Sequence, residues 1–537
     1  VGDGGQAGAP GKKYCEGDTV RSCTQDGQPG PIVTTCKGSV CAGGTCQDPC
    51  SQASSEFSYI GCDYWPTVTA NTELTNESHF AVAVANPNAQ PATVTITRPG
   101  DAMVQEMVPP NGLSLIRLPW VSELKNAAFS ALVPGGAFKL NSSLPVTVYQ
   151  FNPLEYNVDP CNGGQGTCPT FTNDASLLLP THTLTGHYIA ISRPAFLFRE
   201  KSGGIFGTTD WRGKYPGFLA VVGVENADTQ VTVKFSAPAM VVNKQSGLYQ
   251  KGQTQTFTIK QQDVLQIFSS TPGTCTPAFT EKDSDPIFPT EYGYCDMPET
   301  DLTGTEVTAD RKVAVFSGHN CSFVPFNRWA CDHLEEQMFP LESWGKKYAV
   351  AKIQRSPANI PDLIRVVSGA DNNTITFTPN LHAPITLNRG QWQEFSVTAD
   401  IVADGTEPFA LAQFMVGQDY FGMSQGGSNP GDPAMALAVP VEQYRTSYIF
   451  LAPETYVQNY VNVTAPTDAA VMLDGQPIPQ ASFKSVGPDF IAARVSIKAG
   501  THTIESGKPF GIETYGLAPY TSYMYPGGLD VKQINIQ

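Results

Sequence analysis

The sequence predicts an all-β chain, in which tandem β-sandwich modules of immunoglobulin-like type follow a small disulfide-rich N-terminal module. Strand-like runs of β-branched and aromatic residues recur with period-two alternation, while long apolar stretches at helical spacing are scarce. Strand–turn–strand segments repeat along the chain, and seven of its 13 cysteines crowd into the first 62 residues. At 537 residues there is room for roughly three to five domains of ordinary size.

Residues 1–13, VGDGGQAGAPGKK, have the Gly-rich character of a flexible tether. Residues 14–50 are too short and polar to build a core, so disulfides must hold them. This head carries Cys15, Cys23, Cys36, Cys41, Cys46 and Cys50, with Cys62 just beyond it. The other six cysteines fall into close sequence pairs, Cys161 with Cys168, Cys275 with Cys295 and Cys321 with Cys331, which are candidate structural disulfides of an oxidising compartment. The odd total leaves at least one thiol without a partner in the chain. Paired CxxC knuckles are absent, so no zinc site is expected.

No apolar run is long enough to span a bilayer, and no signal peptide is present. With its cysteines, the chain reads as the processed form of a secreted precursor, extracellular or on the outer cell surface. Membrane contact is expected only through an N-terminal lipid anchor. A formal charge of -16 and only 15% charged residues argue against nucleic-acid partners, which need clustered Lys and Arg.

Beyond the head, internal similarity divides the chain into four units: 51–160, 161–331, 332–431 and 432–537. Segments beginning at Asp174, Asp332 and Asp432 each contain a proline followed eight residues later by tyrosine: Pro180/Tyr188, Pro340/Tyr348 and Pro440/Tyr448. A strand motif recurs at Pro145, Arg311, Glu407 and Lys508, and strand–turn–strand segments start at Phe80, Phe218, Leu363 and Tyr460. The second unit carries insertions near 193–217 and 270–304. Sandwiches in a row are the expected arrangement, and the alternative is closure of the repeats on themselves in a propeller-like assembly.

Between two strand-like runs, Gly318–Ala351 crowds His319, Asp332, His333, Glu335 and Glu336 together with Cys321 and Cys331. Its HLEEQ run lacks the two histidines four apart that HExxH chemistry requires. An aspartate that recurs before a proline-containing connection reads as a turn or backbone-capping residue. His182, His187, His319, His333, His382 and His502 are expected at exposed or junctional positions. GxSxG and GxxxxGK[ST] are both absent, so no catalytic residue, cofactor or metal ligand is assigned. A secreted carbohydrate hydrolase rests only on abundant acids.

These motifs resemble the N-terminal IgGFc-binding domain family, found in a vertebrate mucus protein and in many bacterial surface proteins. The resemblance is carried by Gly318, His319 and Cys321; by Ala330, Cys331, Asp332, His333, Glu336, Gln337 and Pro340; and by Trp344, Gly345 and Tyr348. Ser522, Tyr523, Pro526 and Gly527 match the family's ending, so the likeness covers about residues 55–530. The Cys-rich head lies outside it and resembles the short modules of myxobacterial surface lipoproteins. What this resemblance implies is a non-catalytic binding or adhesion protein with a protein or glycan ligand at the cell surface. A structural subunit of an extracellular filament or surface layer, acting through self-association, is the alternative.

Overall fold

Two burial patterns distinguish the strands. Ala92–Thr97, Thr229–Lys234 and Asn373–Thr378 bury every second residue, as strands with one face in water do. Phe80–Asn86, Gly217–Gly223 and Asp362–Ser368 are buried at every position. The first two are nearly continuous apolar runs and the third buries Asp362 and Arg365 as well, as in sheets covered on both faces. Each module therefore has an outer sheet facing solvent and an inner sheet facing the middle of the molecule.

The computed structural model describes residues 11–17, 19–26, 28–36, 39–74, 78–158, 168–204, 207–420 and 430–535. Most of the Gly-rich tether lies outside them. In the first module, the strand Lys139–Asn152 joins both sheets. Its first half pairs with Gly61–Tyr64 and Ala92–Thr97, and its second half with Phe80–Asn86 and Asp174–Leu178. Gly500–Ala518 crosses between the sheets of the fourth module in the same way. In the middle modules the crossing strand is broken, as Glu306–Ala309 then Val313–Ser322, and as Ile401–Gly405 then Phe409–Met415.

The last strand of each inner sheet decides the architecture. Asp174–Leu178, Asp332–Gln337, Met435–Leu437 and Thr521–Pro526 each hydrogen-bond to the crossing strand before them. They also pack on one another in a cycle, first on second, second on third, third on fourth and fourth on first. The modules are thus sandwiches, but they do not run in a row: they close around one axis. The repeat unit defines each sandwich and leaves this closure open, because closure depends on contacts between units.

Every junction is tied by buried polar groups. Between the second and third modules, Arg365 reaches Asp301 at 2.8 Å and Glu394 at 2.9 Å while its guanidinium lies 4.0 Å from the Trp392 ring centroid. Arg494 donates to the Lys352 carbonyl at 2.6 Å across the next junction. The ring is closed by the Tyr149 hydroxyl, which meets the Ile449 and Gly527 carbonyls at 2.9 and 2.8 Å, and by Tyr59 N–H to Leu529 O at 3.1 Å. One strand is shared between modules, since Ala131–Val133 pairs with Val264–Phe268.

Among the described residues, five disulfides are formed. In the head, disulfides join Cys15 to Cys41 and Cys36 to Cys46, and Cys50–Cys62 fastens it to the first module. Cys23 is the free thiol among the described residues. Of the three close pairs expected as structural disulfides, Cys275–Cys295 and Cys321–Cys331 are bonded. Cys161 and the bond expected between Cys161 and Cys168 lie outside the described residues. What is placed is the backbone of Cys168, which begins the short strand Cys168–Pro169 and pairs with Val158 in Asn157–Val158. That hairpin precedes the first axial strand, Asp174–Leu178. The two insertions of the second unit combine into a single sheet of Phe196–Lys201, Thr209–Tyr215, Phe279–Lys282 and Glu291–Tyr294.

The recurrent proline–tyrosine spacing has a direct cause. Pro180, Pro340 and Pro440 each precede a single 3-10 turn, which delivers the chain to the first strand of the next outer sheet. There the buried Tyr188, Tyr348 and Tyr448 donate to the carbonyls of Val313, Phe409 and Phe510. Tyr64 makes the same bond to Val146 in the first module. Each tyrosine therefore pins the first strand of a sandwich to its crossing strand. Replacing Tyr348 with Phe leaves the buried Phe409 carbonyl unpaired, and thermal or urea unfolding is expected to show a loss of about 1–3 kcal/mol.

Candidate functional site

The axis is built on one side chain. Asp174 is completely buried, and its carboxylate accepts four backbone N–H groups, one from each module's last strand. Ala175 and Met524 donate to Oδ1 at 2.9 and 3.3 Å, and Glu335 and Met435 to Oδ2 at 3.1 and 3.2 Å. Burial drives this carboxyl well above the ordinary carboxylate range, with the four N–H bonds working against that rise.

The four donors mark equivalent positions, so three residues earlier Thr172, Asp332, Asp432 and Thr521 form the next level. Asp174 is therefore not the counterpart of Asp332 and Asp432: it lies six residues before Pro180, whereas they lie eight before Pro340 and Pro440. Of the two roles expected for these aspartates, Asp332 and Asp432 show the backbone-capping one, from buried positions. The Asp332 carboxylate accepts from His333 N–H at 2.9 Å and the Thr521 hydroxyl at 3.4 Å; that of Asp432 accepts from Gln418 N–H at 2.8 Å. Burial, with Asp432 and Asp174 nearby, pushes Asp332 well up, and burial with Asp174 does the same to Glu336.

Most of the residues that carry the family likeness serve this centre. Glu336 meets the Ser176 hydroxyl at 3.1 Å, Gln337 accepts from Leu179 N–H at 2.8 Å, and Trp344 donates to the Phe339 carbonyl at 3.1 Å. Glu335 binds Gln150 at 2.6 Å and Asn152 at 3.2 Å, joining the second module to the first. Side chains at Gly318 and Gly345 would collide with the Leu334 carbonyl and with Pro440 and Glu442. His319, His333 and His502 are buried instead of exposed, and His333 lies at the junction with the first module, against Thr69 and Asn152. His319 accepts from Cys321 N–H at 3.1 Å through Nδ1, and its Nε2 meets the Pro194 carbonyl at 2.9 Å. Burial, helped by Arg193, pushes its pKa down to about 3, so the imidazole is neutral. His333 stacks on Phe218 at 5.9 Å, with Nε2 3.2 Å from the Asn152 amide. The sequence holds the acids and histidines close together, and only the fold reveals that they are sealed from water.

One residue further toward this end of the axis stand Phe171, Cys331, Gly431 and Tyr520, and here a cleft of ≈ 780 Å³ opens. That volume lies within the range of ligand pockets. Phe171 and Tyr520 meet edge to face at 6.2 Å, and both have left-handed backbones, with φ of 52° and 55°. Bulky residues avoid this region at a cost of about 1–3 kcal/mol, and such strain concentrates at working surfaces. Further lining comes from the insertion sheet, where Phe196 stacks with Tyr215 at 5.8 Å and Phe198 with Tyr292 at 5.7 Å. Trp329, from the 325–329 loop, lies 5.6 Å from Phe198, and the bonded pair Cys321–Cys331 forms part of the wall. Glu73, Glu200 and Arg212 are its charged groups.

A family model described as IgGFc binding protein matches residues 174–516, more than half of the chain. The chain belongs to the IgGFc-binding protein family. The match runs from the first axial strand into the crossing strand of the fourth module. A human relative, the IgGFc-binding protein of Homo sapiens, is 25% identical over 359 residues, which is 66% of this chain and 6% of that protein. A crystal structure of a tetra-tandem repeat from the extending region of a large adhesion protein aligns over 88% of this chain and 99% of its own. Its identity is 10% and its TM-score 0.09, a value at which no common fold follows. Among the described residues no group of His, Cys, Asp and Glu is arranged to hold a metal ion.

Of the lining residues, Cys321, Ala330 and Cys331 belong to the motifs seen in the sequence, whereas the rings and charged groups are spread from Glu73 to Tyr520 and come together only through closure. The one local signal is the aromatic density of the insertions, in FLFRE, WRGKY and EYGY.

The wall disulfide and the axial carboxyls can each be tested by stability. Cys321 and Cys331 are ten residues apart, and closing such a loop stabilises by roughly 2–3 kcal/mol; the double serine variant should melt a few degrees lower. Burial holds the Asp432 carboxyl at about 7 against an ordinary 3.8, opposed by Gln418 and Ala330 N–H and by Arg355. The folded chain thus keeps a proton that the unfolded chain releases. This contribution is whole below about pH 4 and is lost as pH rises through about 7. Melting temperatures measured from about pH 4 to about pH 8 should fall less steeply in Asp432→Asn than in the unaltered chain.

Proposed function

We propose that this chain is a non-catalytic binding protein, secreted or displayed at the cell surface, that engages a protein ligand through the aromatic cleft. The observation that carries this reading is the convergence of seven aromatic rings, from Phe171 to Tyr520, on one open cavity at the end of the axis. Phe196 and Phe198 are buried behind the wall, whereas Phe171 is exposed and Tyr215, Tyr292, Trp329 and Tyr520 are half-buried, and these offer rigid contact area at little cost in side-chain entropy. The disulfide in the wall limits loop freedom before a ligand arrives, so less ordering is left to oppose binding.

Family membership supports binding of a protein, and the human relative's name specifies the Fc part of immunoglobulin G. Disulfides at Cys15–Cys41, Cys36–Cys46 and Cys50–Cys62 fit an oxidising, extracellular setting. Among the described residues no helix is long and apolar enough to cross a membrane. Binding is favoured over hydrolysis because Asp174, Asp332, Asp432, Glu335 and Glu336 are sealed away from any substrate.

Biolayer interferometry against immobilised Fc fragment tests the reading, with Phe171→Ala/Tyr520→Ala as the cleft variant. At least about a tenfold loss of affinity is expected, since aromatic anchors in interfaces are worth about 2 kcal/mol or more. Equal binding by the variant would remove the cleft from the function. Absence of Fc binding by the unaltered chain would remove Fc as the ligand.

A further inference from the structure

Resting on the cleft as the binding site, its charged groups point to the chemistry of the anchor it takes. Arg212 is the one basic side chain among the described lining residues, and it is paired with Glu200 at 2.9 Å. Glu73 remains, exposed at the rim and touching the Tyr215 hydroxyl. Among the described lining residues, the cleft therefore combines ring faces with one carboxylate, Glu73, that the lining cation does not offset.

Each other class of anchor loses something here. An anion would meet Glu73 and the negative faces of the rings. A hydrocarbon side chain would use the rings but leave the carboxylate without a counter-ion. A cation is attracted by both, because the ring quadrupole and the carboxylate act in the same direction and the partly enclosed site lowers the competition from water. Between the two basic side chains, the planar and weakly hydrated guanidinium stacks on rings and can face a carboxylate with two donors, which a strongly hydrated ammonium cannot do. The chain's formal charge of -16 favours approach of a basic surface over longer range.

We propose that the cleft recognises an arginine projecting from a protein partner, with Glu73 as its counter-ion and the rings that line the cleft, Trp329 among them, as its apolar walls. Glu73 lies at the surface, so its replacement leaves the core and axis untouched.

The test uses the full chain and two short peptides differing only at one residue, arginine or its neutral isostere citrulline, titrated while tryptophan fluorescence is followed. The arginine peptide should give a saturable change that weakens as salt is raised. Citrulline should bind at least about tenfold more weakly, as expected for loss of a partly desolvated charge contact. Glu73→Gln should weaken the arginine peptide by a similar factor without shifting the melting temperature, and Trp329→Phe should remove the signal. Equal binding of the two peptides, no effect of Glu73→Gln, or no binding of the arginine peptide overturns the proposal. If the protein ligand is still lost in Phe171→Ala/Tyr520→Ala while Glu73→Gln binds it normally, the cleft stands as the site and only the arginine assignment fails. If neither variant affects the protein ligand, both readings fail.

Discussion

Four backbone N–H groups from four modules meet at the Asp174 carboxylate, and the closed arrangement depends on that meeting. Each donor lies in a strand whose outer neighbours are satisfied by its own sheet, while its inner edge faces the axis, where no water is available. An unpaired N–H there costs the full desolvation of the group. One carboxylate with two oxygens offers about four lone-pair directions, which matches the four strands that must be served. An amide at the same point would offer one acceptor oxygen instead of two, and an apolar side chain none.

The same axis explains how the proposed binding surface would arise from related modules. Positions that are equivalent around the ring have diverged: Phe171 and Tyr520 supply rings, Cys331 supplies half of a disulfide, and Gly431 has a φ of 106° with Leu517 close to where a side chain would start. The second module alone adds an insertion sheet beside that end, which turns a small opening into a cleft with one aromatic wall. Buried groups behind the cleft hold it in place. His319 links Pro194, at the start of the insertion, to Cys321 in the disulfide. The residues most characteristic of the family are thus supports for the cleft and the axis, while Phe171 and Glu73 lie exposed at the opening, where the proposed ligand would meet them.

Much of the module was legible in the sequence because it rests on local rules. Period-two alternation along Ala92–Thr97 and continuous apolar runs such as Phe80–Asn86 separate outer from inner strands before any fold is known. The proline–tyrosine spacing is local as well, since the 3-10 turn and the first strand follow one another directly. Cys321 and Cys331 are also close enough in sequence to pair by inspection. The recurring aspartates show where inspection fails. Asp174 aligns with Asp332 and Asp432 by eye, yet it sits two positions out of register with them, and nothing local distinguishes a turn-capping carboxylate from one that accepts bonds from Glu335, Met435 and Met524.

By itself, then, the sequence determined the all-β class, the sandwich unit, the disulfide-bound head and the likeness to a family of binding proteins. These follow from side-chain periodicity, cysteine spacing and short motifs, all of which act between near neighbours. Only the tertiary structure decided that the sandwiches close on an axis, that His319, His333 and the acids are sealed inside it, and that rings from Phe171 to Tyr520 share one cleft. Those outcomes depend on contacts between residues hundreds of positions apart, whose partners are selected by packing and by the need to satisfy buried polar groups.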